Sequence, residues 1–227
     1  MCGRYALHAS AEELQARLSL SGVPDFAPRY NLTPSQQVPA ILVRDGVREL
    51  VPIRWGLVPH WARDPRIGWM VNARSETVAD KPVFRNAFRR RRCLIPASGY
   101  YEWRVQIGAK RPYYIHLADT PVFAFAGLWE NWQRDGPGID SCTIITTEAN
   151  DILRPIHERM PVILAPGQYR QWLDPTEQDA GVLLEMLRPY PGPDTRAYPV
   201  TTRVNNPRYD DAACMLAIAA ETPDRAW

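Results

Sequence analysis

The segment VPAILVRDGVRELVPIRW constrains this chain most strongly, because two apolar strand-like runs flank Asp45-Gly46, a dipeptide suited to the positive φ angles of a two-residue turn. It predicts a tight antiparallel hairpin. Further strand candidates are RCLIPA, GYYEWR, PYYIHL, PVFAFAGLW, SCTIITT and MPVIL. Helical spacing is read in AEELQARLSL, where Ser10 and Glu13 form a capping box and Leu14 and Leu18 share a face. It is also read in KPVFRNAFRR, in EANDILRPI and after Pro175 in TEQDAGVLLEMLR. Helices do not alternate regularly with strands, which argues against a doubly wound sheet. The expectation is an α+β fold: one domain over residues 1–227, with a curved, mostly antiparallel sheet or barrel-like β core flanked by helices. The 22 prolines are spread throughout and imply stiff loops without a marked linker.

Hydrophobic residues make up 45% of the chain, enough for a substantial core. No apolar run approaches the roughly 20 residues of a membrane span. The opening MCGRYALHASAEEL also lacks the basic and apolar regions of an export signal. A cytoplasmic protein with no membrane partner is expected. Cys2, Cys93, Cys142 and Cys214 form no C-x-x-C pair, so neither a zinc ribbon nor a disulfide framework is indicated. Net charge is only +2, yet Lys81 and Lys110 are the sole lysines among 27 basic residues. Arginine forks grip phosphate bidentately and would suit a nucleic-acid surface. A GC-rich coding sequence would produce the same bias.

Position 2 is the chemically distinctive one. Removal of the initiator methionine before a small cysteine would leave an α-amine and a thiol on one residue. Their reference pKa values, about 7.7 to 8.0 and about 8.5, make an appreciable fraction of each nucleophilic near neutrality. Such an aminothiol can attack an acyl group, or can condense with an aldehyde and close a thiazolidine. Cys2 can equally be read as a small hydrophobic residue beside a strand.

Polar residues inside apolar segments supply further candidates. Glu102, between Tyr101 and Trp103, would be partly desolvated and its pKa raised into the range useful for proton transfer, unless it faces solvent and pairs with an arginine. His157 has the pKa best suited to shuttling protons, although a histidine following a helix often only packs or caps. Asn72 could orient an intermediate through its amide, and Arg74, two residues on, could share its strand face and meet a phosphate. Pro34, Trp61 and Trp103 offer flat or wedge-shaped surface for stacking on bases, although tryptophans also fill cores.

Taken in order, MCGRY, YNLTP at 30–34, WGLVPHW at 55–61, NARSET at 72–77, RCLIPASGYYEW at 92–103, HERMPV at 157–162 and VNNPRYDD at 204–211 span nearly the whole chain. In these segments the chain resembles the SOS-response-associated peptidase family, the abasic-site processing proteins. The resemblance implies a monomer that self-crosslinks to abasic sites in single-stranded DNA, Cys2 condensing with the ring-opened deoxyribose aldehyde. It implies that Asn72 holds the crosslinked sugar, Glu102 moves protons, and His157 helps open the sugar ring and runs the reverse reaction. Arg4, Arg74 and Arg159 would hold flanking phosphates, while Pro34 and Trp103 would wedge or stack where the strand is kinked. Association with the nucleoid during DNA damage follows from that role. No metal or cofactor is expected, because an aldehyde is electrophilic enough for an activated aminothiol. Removal of Met1 fits the family name, but general proteolysis is not expected, since no separate protease triad is visible. Two rivals are a glutamine amidotransferase using an N-terminal cysteine and a passive single-strand binding module.

Overall fold

The hairpin forms over two strands whose register runs from Gln37↔Arg54 to Arg44↔Val47, which leaves a two-residue connection. Gly46 has φ +77°, a region that favours glycine, whereas Asp45 lies outside the described residues. The computed structural model describes residues 2–23, 26–44, 46–65, 70–106, 108–134 and 136–218. Among these the strands, in chain order, are β1 (Tyr5–Leu7), β2 (Arg29–Leu32), β3 (Gln37–Arg44), β4 (Val47–Trp55), β5 (Asn72–Arg74), β6 (Arg92–Ala97), β7 (Gly99–Gln106) and β8 (Ala109–Leu117). They continue with β9 (Phe123–Trp132), β10 (Ile139–Glu148), β11 (Arg159–Pro161), β12 (Ile163–Leu164) and β13 (Thr195–Pro199). The helices are α1 (Ala11–Leu18), α2 (Arg85–Arg90), α3 (Tyr169–Leu173) and α4 (Ala180–Glu185), with short 3₁₀ turns between elements.

The fold is α+β, with large, mostly antiparallel sheets flanked by few helices. One sheet has the order β13-β8-β7-β1-β2. The other runs β10-β4-β3-β6-β9, and β9 then pairs with β10 again, so five strands close on themselves. Closure removes the free edges that would otherwise present unpaired amides. The exceptions to antiparallel pairing are β10 with β4 and β10 with β5, both parallel. Rings from the first sheet pack on the barrel: Tyr5 meets Trp55 at 5.4 Å and Phe125 at 5.8 Å, and Tyr100 meets Phe125 at 5.9 Å, all edge-on.

The capping box is present, with Ser10 accepting from Glu13 N–H at 3.2 Å and Glu13 accepting from Ser10 N–H at 2.8 Å; Leu14 and Leu18 are buried. EANDILRPI does not make the expected helix. It forms hydrogen-bonded turns over residues 151–156, because Pro155 lacks an N–H and its ring would crowd the preceding turn of a helix. The other two helical segments form only in part. The helix of KPVFRNAFRR is confined to α2, and that of TEQDAGVLLEMLR starts late, where the Asp179 side chain accepts from Gly181 N–H at 2.7 Å.

Arg92, at the start of β6, fixes two of these helices. Only 4% exposed, it donates to five backbone carbonyls: Phe88 and Arg89 at the end of α2, Trp172 in α3, and Asp174 and Glu177 beyond it. Gly99 marks a different constraint, since a Cβ there would sit 2.3 Å from the Tyr114 ring and 2.7 Å from the Ile115 carbonyl. Gly99→Ala is expected to lower stability by about 1–3 kcal/mol in denaturant unfolding. Gly22→Ala, with nothing within 4 Å, is the control and should stay within about 0.5 kcal/mol of wild type.

Candidate active site

Cys2 precedes β1, the strand held between β2 and β7. The register Tyr5↔Tyr100 and Ala6↔Gly99, with Tyr101 N–H donating to the Arg4 carbonyl at 3.0 Å, carries the chain's start alongside Glu102. Alternation along β7 turns Tyr100 and Glu102 to the barrel side, and turns Tyr101 and Trp103 to the outer cluster with Ala6 and Val204. In the chain that includes Met1, Cys2 is fully buried rather than exposed. Burial, and after it the nearby Glu102 charge, push its thiol pKa up. Glu102 is itself only 3% exposed, and burial raises its pKa to about 7. The expectation of a desolvated carboxyl therefore holds at the level of its environment.

Asn72 opens β5, pairing with Ile144 of β10. Its Nδ2 donates to the Val71 carbonyl at 3.0 Å, which sets the orientation of the half-buried amide. The same Val71 carbonyl accepts from the Trp55 indole at 3.0 Å, so Asn72 stands on the aromatic layer that backs Tyr5 and β1. Pro34 is half-buried in the turn before β3, where Ser35 N–H donates to the Trp55 carbonyl at 2.7 Å and Ser35 has φ +73°.

His157 follows the turn at 151–156. Its Nδ1 accepts from the Arg159 N–H at 2.9 Å, so the neutral ring keeps its proton on Nε2, and burial lowers its pKa. Arg159 is fixed in turn, donating to both Glu76 carboxylate oxygens and to the Thr146 carbonyl at 2.7 Å. Thr146 pairs with Arg74, which places Asn72, Arg74, Glu76, His157 and Arg159 around one end of β10.

The sequence-derived arginines occupy different settings. Arg74 is exposed, whereas Arg159 already holds a carboxylate and Arg4 donates to Asn31 Oδ1 at 2.9 Å and to the Val204 and Asn205 carbonyls. Trp103 donates its indole N–H to Asn205 Oδ1 at 2.8 Å, joining Arg4 at the same C-terminal segment. Trp61 stands apart at 56% exposure. Three side chains had no role in the sequence reading: Glu76, which orients Arg159, and Asn31 and Asp210, which hold Arg4 and β2. Each lies inside a quoted motif, but nothing local marks it, because its partners are 27 to 181 residues away. No cluster of metal-ligating side chains occurs among the described residues.

A family model described as SOS response associated peptidase (SRAP) matches residues 1–207. The chain belongs to the SRAP family. Abasic site processing protein YoaM of Bacillus subtilis is 40% identical over 223 residues, covering 96% of this chain and 98% of YoaM. Abasic site processing protein YoqW of the same organism is 40% identical over 214 residues, covering 92% and 96%. A crystal structure of a protein from Bacteroides thetaiotaomicron matches with a TM-score of 0.85 at 27% identity, covering 96% of this chain and all of that one.

Glu102 makes this SRAP chain's stability depend on pH. Its carboxyl binds a proton more tightly folded, at about 7, than at the ordinary value of 4.5. The stabilisation is complete below the ordinary value and is lost as pH rises through about 7. Relative to Glu102→Gln, wild type should lose roughly 3 kcal/mol between about pH 5 and about pH 8 in urea unfolding. Equal pH dependence of the two proteins would contradict it.

Proposed function

We propose that this protein captures abasic sites in single-stranded DNA covalently, acting as a single-domain monomer after Met1 is removed. The α-amine of Cys2 attacks the aldehyde of the ring-opened sugar. The resulting carbinolamine loses water to give an imine, and the thiol adds to the imine carbon, closing a thiazolidine. The names of YoaM and YoqW support the lesion. The observation that carries the chemistry is the buried Glu102 carboxyl beside Cys2, with a pKa near 7. Burial raises its pKa toward neutrality, which brings both proton donation and proton acceptance within reach. The acid can protonate the departing hydroxyl of the carbinolamine, and the carboxylate can take the proton of a thiol whose own ionisation burial disfavours.

The remaining roles are those the resemblance implies, and the placement of the residues supports them. Asn72 holds the sugar, and His157 presents Nε2–H to the ring oxygen of the closed sugar, favouring opening and, later, reversal. Arg74 meets a flanking phosphate from an exposed position, Arg159 joins it from the same end of β10, and Arg4 takes a further phosphate. Pro34, Trp61 and Trp103 supply apolar surface to bases displaced around the lesion, which favours flexible single strands over stacked duplex.

The test is a denaturing gel of trimmed protein with a single-stranded oligonucleotide carrying one abasic site, with mass spectrometry confirming loss of Met1. A slower band is expected that survives salt and denaturant and requires both the lesion and Cys2. Cys2→Ala should abolish it. Glu102→Gln should slow its formation by about 10²-fold. A trimmed wild type that gives no band would end the covalent reading.

A further inference from the structure

Helix α2 turns Ala87 and Phe88 into the core and leaves Arg85, Asn86, Arg89 and Arg90 exposed. Between this face and the turn bearing His60 and Trp61 lies a cleft of about 770 Å³. Its inner wall is neutralised: Glu130, 2% exposed, accepts from Arg91 Nη2 at 2.5 Å and pairs with His60 Nδ1 at 3.2 Å. Arg85, Arg89 and Arg90 have no ion pair or side-chain hydrogen bond to any described residue.

Arginines that serve this fold look different. Arg92 fills its donors with carbonyls, Arg4 with the C-terminal segment, and Arg159 with Glu76. The cations of α2 are partly at odds with its stability. Arg85 stands in the first turn, where positive charge opposes the helix dipole, and it repels Arg89 one turn on. Only Arg89 and Arg90, in the last turn, are favoured by the dipole. An anion in the cleft would relieve the repulsion.

Trp61 supplies a second, independent observation. It is exposed on a fixed turn, where Ala62 N–H donates to the Pro59 carbonyl at 2.9 Å and Ala62's own carbonyl accepts from the Trp132 indole at 2.8 Å. A flat aromatic face beside three free guanidinium groups is the combination that holds a nucleic-acid strand, stacking a base while cations follow its backbone. The chain path sets the distance from the candidate active site. Leu57 bridges Met70 through its N–H at 3.1 Å, Trp61 lies four residues beyond Leu57, and Asn72 lies two beyond Met70. Fully extended, this places Trp61, at one side of the cleft, within about 25 Å of Asn72. At about 3.4 Å per phosphate on one strand of a duplex, the span is about seven nucleotides or fewer.

We propose that this cleft binds the phosphodiester backbone of DNA flanking the lesion, with Arg85, Arg89 and Arg90 on phosphates and Trp61 stacked on a base. The proposal rests on the reading of the protein as an abasic-site binder. The flank is either the lesion strand itself or a strand annealed beside it.

The experiment compares wild type with an Arg85→Ser/Arg89→Ser/Arg90→Ser variant in fluorescence anisotropy, using undamaged oligonucleotides. Wild type should bind long oligonucleotides, of roughly twenty-five nucleotides, about tenfold more tightly than the variant at low salt. The slope of log affinity against log salt should fall by about 2 in the variant. A larger loss when a complement is annealed to the flank assigns the cleft to the second strand, and an equal loss assigns it to the lesion strand. The variant's melting temperature should stay within a few degrees of wild type, because the three side chains are exposed and the relieved repulsion offsets part of the lost helix propensity. Unchanged long-strand affinity and salt slope would overturn the proposal, even if the abasic crosslink forms normally. A variant defect on undamaged DNA with no crosslink from either protein would leave this cleft standing and remove the covalent reading instead.

Discussion

Strand β10 is hydrogen-bonded along both edges, and the rest of the structure is arranged around that fact. One edge takes β4 at Ser141–Cys142 and then β5 at Ile144–Thr146, both parallel. The other takes β9 from Ile139 to Ile144 and then β11 from Thr146 to Glu148. The β4 and β9 pairings close the barrel. The β5 and β11 pairings use the remainder of the strand to bring Asn72, Arg74 and Arg159 to one end. Barrel closure and site assembly thus share a single strand, and the parallel pairs, which no short hairpin can connect, are what allow distant segments to meet there.

Burial decides the protonation chemistry more than charge pairing does. Cys2 and Glu102 both lie in the packed region between the first sheet and the barrel, and for both the leading cause of the pKa shift is desolvation. For a carboxyl the effect is to move titration into the physiological range, and for a thiol to move it away. Of the two buried groups, the carboxyl is thus the one brought toward proton exchange near neutrality.

Local signals were legible in the sequence, and long-range ones were not. The β3–β4 hairpin and the α1 capping box are contained within about twenty residues each, and both formed in register. The curved, largely antiparallel character of the core was legible too, from the density of strand patterns. EANDILRPI failed because helical spacing was weighed above Pro155, a local signal that was available. Barrel closure, the parallel pairs and the splitting of MPVIL between β11 and β12 depend on partners far away in sequence, which periodicity does not encode. Among candidate residues, Glu102 could be anticipated because its flanking aromatics predict desolvation. Glu76 could not, because what defines it is Arg159, 83 residues on.

The two ends of the described chain depend on one another through a network of the same non-local kind. Asn31 is fully buried and donates to the Val204, Asn206 and Tyr209 carbonyls while accepting from Arg4. Asp210 accepts from the backbone N–H groups of Tyr30 and Asn31 at 2.6 and 2.8 Å and pairs with Arg29. Removing either partner would leave buried donors or acceptors unmatched, a larger cost than the net value of the bonds themselves. Arg4 is two residues from Cys2, and Trp103 is adjacent to Glu102, so the segment around 204–210 bears on both members of the buried pair from the opposite face of the sheet. The VNNPRYDD motif therefore bears on Cys2 and Glu102 indirectly, by fixing the strands on which they are carried.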